Sequence, residues 1–131
     1  MNTSEEMYRE EILDLYMNPH NFGRLKSPTH IHSEFNPLCG DTIKMELEIE
    51  KEKVKDVKFS GGGCALSIAS ASLLTDKIKN MPIREVEQLN SEDIINLMQI
   101  PIGPVRVKCV LLAFKTLQKA IRSNQNANVG N

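Results

Sequence analysis

Three cysteines and one carboxylate carry the chemistry this chain can do. Cys39, Cys64 and Cys109 are its thiols, and Asp41 stands two residues after the first of them. In extended structure, positions i and i+2 point the same way, so Cys39 and Asp41 can reach one ion. Three thiolates and a carboxylate complete a tetrahedral set. Zinc accepts such a set, and so does iron in an iron–sulfur cluster. A closed structural site favours four soft ligands, so a hard carboxylate makes one corner exchangeable. A cluster held this way is labile and suited to being handed on. The steps from Cys39 to Cys64 and from Cys64 to Cys109 are 25 and 45 residues, with no paired CxxC. Only the fold can gather such a set, and the competing reading is three buried, unconnected cysteines.

Each cysteine lies at an expected structural boundary. Cys39 precedes a long strand. Cys64 follows Gly61-Gly62-Gly63 and opens a helix, where free backbone N–H groups favour its thiolate. The glycines permit backbone angles closed to other residues and leave the sulfur uncrowded. Cys109 is expected in the first turn of the last helix, flanked by Arg106 and Lys108, which also favour thiolate. Lys108 is read as a modulating charge. His20, His30 and His32 lie upstream in or near loops and read as exposed side chains before they read as ligands. The glycine run lacks the Lys-Ser/Thr ending of a phosphate loop. A thiol hydrolase is a third reading, but no histidine stands near the cysteines in sequence.

The elements that must position these residues follow from pattern. Thr3 caps a first helix, with Glu6 as its capping-box partner and Met7, Tyr8, Ile12, Leu15 and Tyr16 as its apolar face. Asn18-Pro19 ends it. His30 to Phe35 reads as an edge strand. Ile43, Met45, Leu47 and Ile49 alternate with Lys44, Glu46, Glu48 and Glu50, a strand with one wet face. A charged turn pairs it with Val54–Ser60 as a hairpin. Ala65, Ser67, Ala69, Ser70, Ala71 and Ser72 give the Cys64 helix a small surface for close packing. Ile83 to Leu89 is a short helical piece, and Ser91 caps a helix through Met98. Pro101 to Pro104 breaks the chain before a helix that starts near Arg106–Cys109 and runs to about Arg122, striped by Val110, Leu111, Phe114, Leu117 and Ile121. Strands first and helices after predict an α+β fold: a small antiparallel three-stranded sheet with helices on one face.

The bulk numbers suit this reading. At 131 residues the chain makes one domain, expected over residues 1–122, with a polar, disordered tail over 123–131. Sixteen basic and seventeen acidic residues leave a net charge of −1, which gives no general attraction to nucleic acid or membranes. No apolar run is long enough for a span, and the polar N-terminus is unlike a signal peptide, so a cytoplasmic protein is expected. Three cysteines in a reducing compartment point to metal or thiol chemistry rather than disulfides.

Four segments resemble the IscU/NifU/SufU-type iron–sulfur cluster assembly scaffolds. They are Asn18-Pro-His-Asn-Phe-Gly23, Cys39-Gly-Asp41, Gly61-Gly-Gly-Cys64 with ALSIASASLLT, and Pro104-Val-Arg-Val-Lys-Cys109 with LLAF. The match runs from about Tyr8 to Arg122 in the family's order. The resemblance implies a scaffold that receives persulfide sulfur from a cysteine desulfurase and builds a two-iron, two-sulfide cluster. It would then pass the cluster to carriers or apo iron–sulfur proteins. It implies Cys39, Asp41, Cys64 and Cys109 as ligands, Cys109 as persulfide acceptor, zinc as an occupant of the cluster-free form, and a monomer or weak homodimer. Two features are mixed. Lys108 replaces the histidine of IscU-type members, as in SufU-type members, whose zinc-dependent role as sulfur acceptors is the alternative function. The 45-residue step lacks the SufU-type insertion and is IscU-like. Of the Leu-Pro-Pro-Val-Lys chaperone-recognition segment, Pro104 and Val105 survive in Ile102–Arg106.

Overall fold

The computed structural model describes residues 4–123, with side chains from Glu6 onward. Eight elements follow in the order α1 (Ser4–Met17), β1 (His30–Asn36), β2 (Asp41–Glu50), β3 (Lys53–Gly62), α2 (Ala65–Ile78), α3 (Ile83–Val86), α4 (Ser91–Leu97) and α5 (Pro104–Arg122). The strands form an antiparallel sheet in the order β1-β2-β3, the expected α+β arrangement. Ile43, Met45 and Leu47 of β2 and Val57 and Phe59 of β3 are fully buried on one face. Against that face lie α2 and α5, with α1 packed on α2 and α4 on both α2 and α5. No helix among the described residues is long and apolar enough to cross a membrane.

The register sets the end of the sheet that matters. Asn36 pairs with Asp41 across the β1–β2 turn, and Thr42 pairs with Gly62 at the exit of β3. Cys39, Asp41 and the start of α2 therefore meet at one end. A Cβ on Gly61, at φ +128°, would sit 2.1 Å from the Thr42 carbonyl oxygen, so only glycine lets β3 run on beside β2.

α2 is central and its small residues do more than thin the helix. Ser67, Ser70, Ser72 and Thr75 are all buried. The Ser70 Oγ donates to the Val110 carbonyl at 2.6 Å, and Ser67 Oγ lies 3.1 Å from the Cys109 carbonyl oxygen, so α2 is pinned to α5. Ser72 Oγ accepts from the His20 N–H at 3.2 Å. Each hydroxyl meets its partner inside the core, which removes the cost of burying it.

The Asn18–Gly23 segment closes the other edge. Its backbone pairs with Phe59 through Asn21 O and Gly23 N, covering the free side of β3. Asn21, at φ +59°, donates through Nδ2 to Thr75 and Asp76 and accepts from Lys79 at 2.9 Å.

Several local expectations change. Thr3 lies outside the described residues, and α1 buries Ile12 and Leu15 while Met7 and Tyr16 are exposed. Glu46, expected on the wet face, is only 3 % exposed. The loop after Asn21 lies across it, with Leu25 N 3.4 Å from Oε1 and Arg24 Nε 3.5 Å from Oε2. Asn90 rather than Ser91 caps α4, in a reciprocal capping box with Asp93. α5 begins at Pro104, so Cys109 is its sixth residue, in the second turn rather than the first. Ser123, assigned to the tail, bonds the Ile31 carbonyl at 2.6 Å; the rest of the tail lies outside the described residues.

Candidate metal centre

Cys39 stands on the β1–β2 turn. Asn36 shapes that turn, its carbonyl accepting from the N–H groups of Cys39 and Gly40 and its Oδ1 from Leu38 N–H. Its Nδ2 donates to Cys39 Sγ at 3.6 Å. Gly40, at φ +72°, completes the reversal. Cys39 and Asp41 thus converge through a turn, not through the strand alternation expected from their spacing.

Asp41 opens β2 and is 2 % exposed. Its Oδ1 accepts the Cys64 backbone N–H at 3.1 Å, and its Oδ2 accepts from Ser67 Oγ at 2.5 Å. Cys64 is the N-cap of α2, with Sγ 3.5 Å from Asp41 Oδ2. The free N–H of this helix end therefore serves the carboxylate. Gly63 makes the same point, because a Cβ there would lie 2.7 Å from Asp41 Cγ. The room that glycine leaves is for Asp41, not for the sulfur.

Cys109 is 2 % exposed, and its Sγ lies 2.8 Å from that of the exposed Cys39. Cys39 Sγ, an Asp41 carboxylate oxygen and Cys109 Sγ all lie within 4.8 Å of one another. Cys64 falls outside that group and joins it through Asp41. Burial pushes the Cys109 thiol up to about 12, helped by its hydrogen bond to Cys39 and the nearby Cys64 sulfur. The expectation that Arg106 and Lys108 draw it toward thiolate is thus reversed, and both side chains are exposed. A bound cation supplies the positive charge that burial denies this sulfur.

Lys108 lines a cavity of about 430 Å³ with Phe35, Asn36, Leu38 and Leu111, beside the cysteines. The histidines are elsewhere: His20 bonds Asp76 at 2.6 Å, His32 bonds Glu34 at 2.8 Å, and the buried His30 bonds Thr29. Pattern reading missed Ser67 and Asn36. Ser67 carries a faint signal, three residues after the helix-capping Cys64 and on its side of the helix. The donor set comes from three chain segments, mixes thiols with one carboxylate, and fits a thiophilic divalent ion or a small iron–sulfur cluster.

A small antiparallel sheet backed by helices, with three cysteines and an aspartate at one end, defines a class. The chain belongs to the NifU-like N-terminal domain family, whose model matches residues 7–129. It is 38% identical to the iron-sulfur cluster assembly scaffold protein IscU of Thermotoga maritima, over 88% of this chain and 93% of that one. It is 31% identical to the zinc-dependent sulfurtransferase SufU of Bacillus subtilis, over 95% of each. A crystal structure described as a putative iron-sulfur cluster assembly scaffold protein for the SUF system, from Fervidobacterium islandicum, superimposes with a TM-score of 0.75 at 28% identity. That match covers 91% of this chain and 99% of the other.

Proposed function

We propose that this protein assembles a two-iron, two-sulfide cluster on Cys39, Asp41, Cys64 and Cys109 and passes it to apo-proteins or carriers, itself catalysing no reaction. Sulfur arrives as a persulfide from a cysteine desulfurase, and Cys109 holds it. The observation that carries this reading is the Asp41 corner. A carboxylate sits among thiols, held by the Cys64 N–H and the Ser67 hydroxyl. Those donors orient the carboxylate toward the cysteines. They also receive it when it lets go of cargo, so the corner opens without stranding a buried charge. Cargo thus leaves by its hardest, most weakly held ligand.

A second reading is a zinc-dependent sulfur acceptor on the same residues. It is favoured by Lys108 in place of histidine and by the likeness to the Bacillus protein across almost its whole length. Metal and acid-labile sulfide content of anaerobically purified protein separates the two. Equal iron and sulfide with a charge-transfer spectrum support the scaffold. About one tight zinc per chain without sulfide supports the acceptor, provided that desulfurase, cysteine and iron then fail to build a cluster.

A further inference from the structure

The Cys39–Cys109 contact has a use beyond ligation. We propose that the two thiols form a reducing pair that converts a persulfide on Cys109 into sulfide. This rests on the persulfide reading above. Sulfur delivered as a persulfide is two electrons short of the sulfide a cluster contains, and two thiols becoming a disulfide supply two electrons.

The geometry selects this pair. The Sγ atoms of Cys39 and Cys109 are 2.8 Å apart and unbonded, whereas Cys64 Sγ, although near Cys109, makes its 3.5 Å contacts with Asp41 and Ser67. Cys39 is exposed on a turn and Cys109 is buried on a helix, so Cys39 meets Cys109 from the solvent side. Asn36 Nδ2 donates to Cys39 Sγ, which orients that sulfur. The contact is with Cys109 Sγ itself, the inner sulfur of a persulfide there. Cys39 Sγ attacks that atom and a Cys39–Cys109 bond forms. The bond from Cys109 Sγ to the outer sulfur breaks, and the outer sulfur leaves with its electron pair. The Cys39 proton goes with it, so the Cys109 persulfide and the Cys39 thiol give the disulfide and hydrogen sulfide. A dithiol reductant must restore both thiols before they can act as ligands again.

The test uses the full chain, metal-free and anaerobic, with a cysteine desulfurase and one equivalent of cysteine and no other reductant. Intact mass, peptide mapping and released sulfide are read against desulfurase alone. Wild type is expected to release about one sulfide per chain and lose about 2 Da as a Cys39–Cys109 link. Cys39→Ser, an isosteric change at an exposed site, is expected to keep about 32 Da on Cys109 and release less than about a tenth of that sulfide. A stable persulfide on wild type, a disulfide through Cys64 or between two chains, or undiminished sulfide from Cys39→Ser overturns the proposal. If Cys39→Ser takes up no sulfur at all, the persulfide reading itself fails and the reducing pair falls with it.

Discussion

At the scale of single residues, the Asp41 carboxylate is the point where several demands meet. A Cβ on Gly63 would lie 2.7 Å from Asp41 Cγ, too close for the two to coexist unmoved. Gly63→Ala is therefore expected to displace the carboxylate and weaken zinc binding about tenfold or more, measured by chelator competition. Gly62→Ala is its control, because a Cβ there meets no described atom within 4 Å; equal losses in both variants would count against the assignment. Ser67 bridges Asp41 to the backbone of Cys109. Ser67→Ala should weaken zinc about tenfold, and this loss should vanish in an Asp41→Ala background if the hydroxyl acts through the carboxylate. Asp41→Cys puts a soft ligand at the weak corner, so transfer of a reconstituted cluster to an apo-acceptor should slow about tenfold or more. An unchanged transfer rate would remove the basis of the release argument.

At the scale of elements, β1 and α5 are joined by ion pairs as well as by packing. Glu34 on β1 accepts from His32 at 2.8 Å and from Lys119 at 2.7 Å, with Lys115 at 3.8 Å. His32 and Lys119 hold its carboxyl well below the usual range, at about 2 rather than 4.5. The folded value is depressed, so the stability it gives is complete above the ordinary carboxylate range. It is lost as pH falls from about 4.5 toward 2. Glu34→Gln should cost about 1 kcal/mol at neutral pH. Denaturant midpoints measured from pH 6 to pH 2 should converge for the two proteins at the acid end. A constant gap across that range would show that the loss is one of packing.

At the scale of the whole molecule, the centre ties three segments far apart in sequence: the β1–β2 turn, the β3–α2 junction and α5. Zinc held there stabilises the folded chain by mass action. At a free zinc concentration one hundred times the dissociation constant, the gain is about 2.7 kcal/mol. That corresponds to a Tm rise of about 10 °C for a chain of this size. Chelation should remove it in a differential scan, and an Asp41→Ala, Cys109→Ser variant should show little of it. The mouth of the site is flanked by exposed apolar residues, Leu38 beside Cys39 and Val105 one turn before Cys109.

The elements were legible because each is written in a local period. Ile43, Met45, Leu47 and Ile49 alternate, and Val110, Leu111, Phe114, Leu117 and Ile121 repeat at helical spacing. Glycine and proline mark the breaks between them. The choice of Cys39, Asp41, Cys64 and Cys109 as candidates was equally available, since few side chains here suit soft-metal chemistry. What the sequence could not show is how these residues meet. Cys109 moved to the second turn because Pro104, not Arg106, starts α5. Its thiol pKa is raised, not lowered, because the core closes over it and the flanking cations face water. Ser67 and Gly63 owe their roles to Asp41, more than twenty residues away in sequence and in contact in space. Local pattern fixes where a backbone turns. Burial, proton affinity and the sharing of one carboxylate depend on which distant segments share the same few ångströms, and only the packed fold decides that.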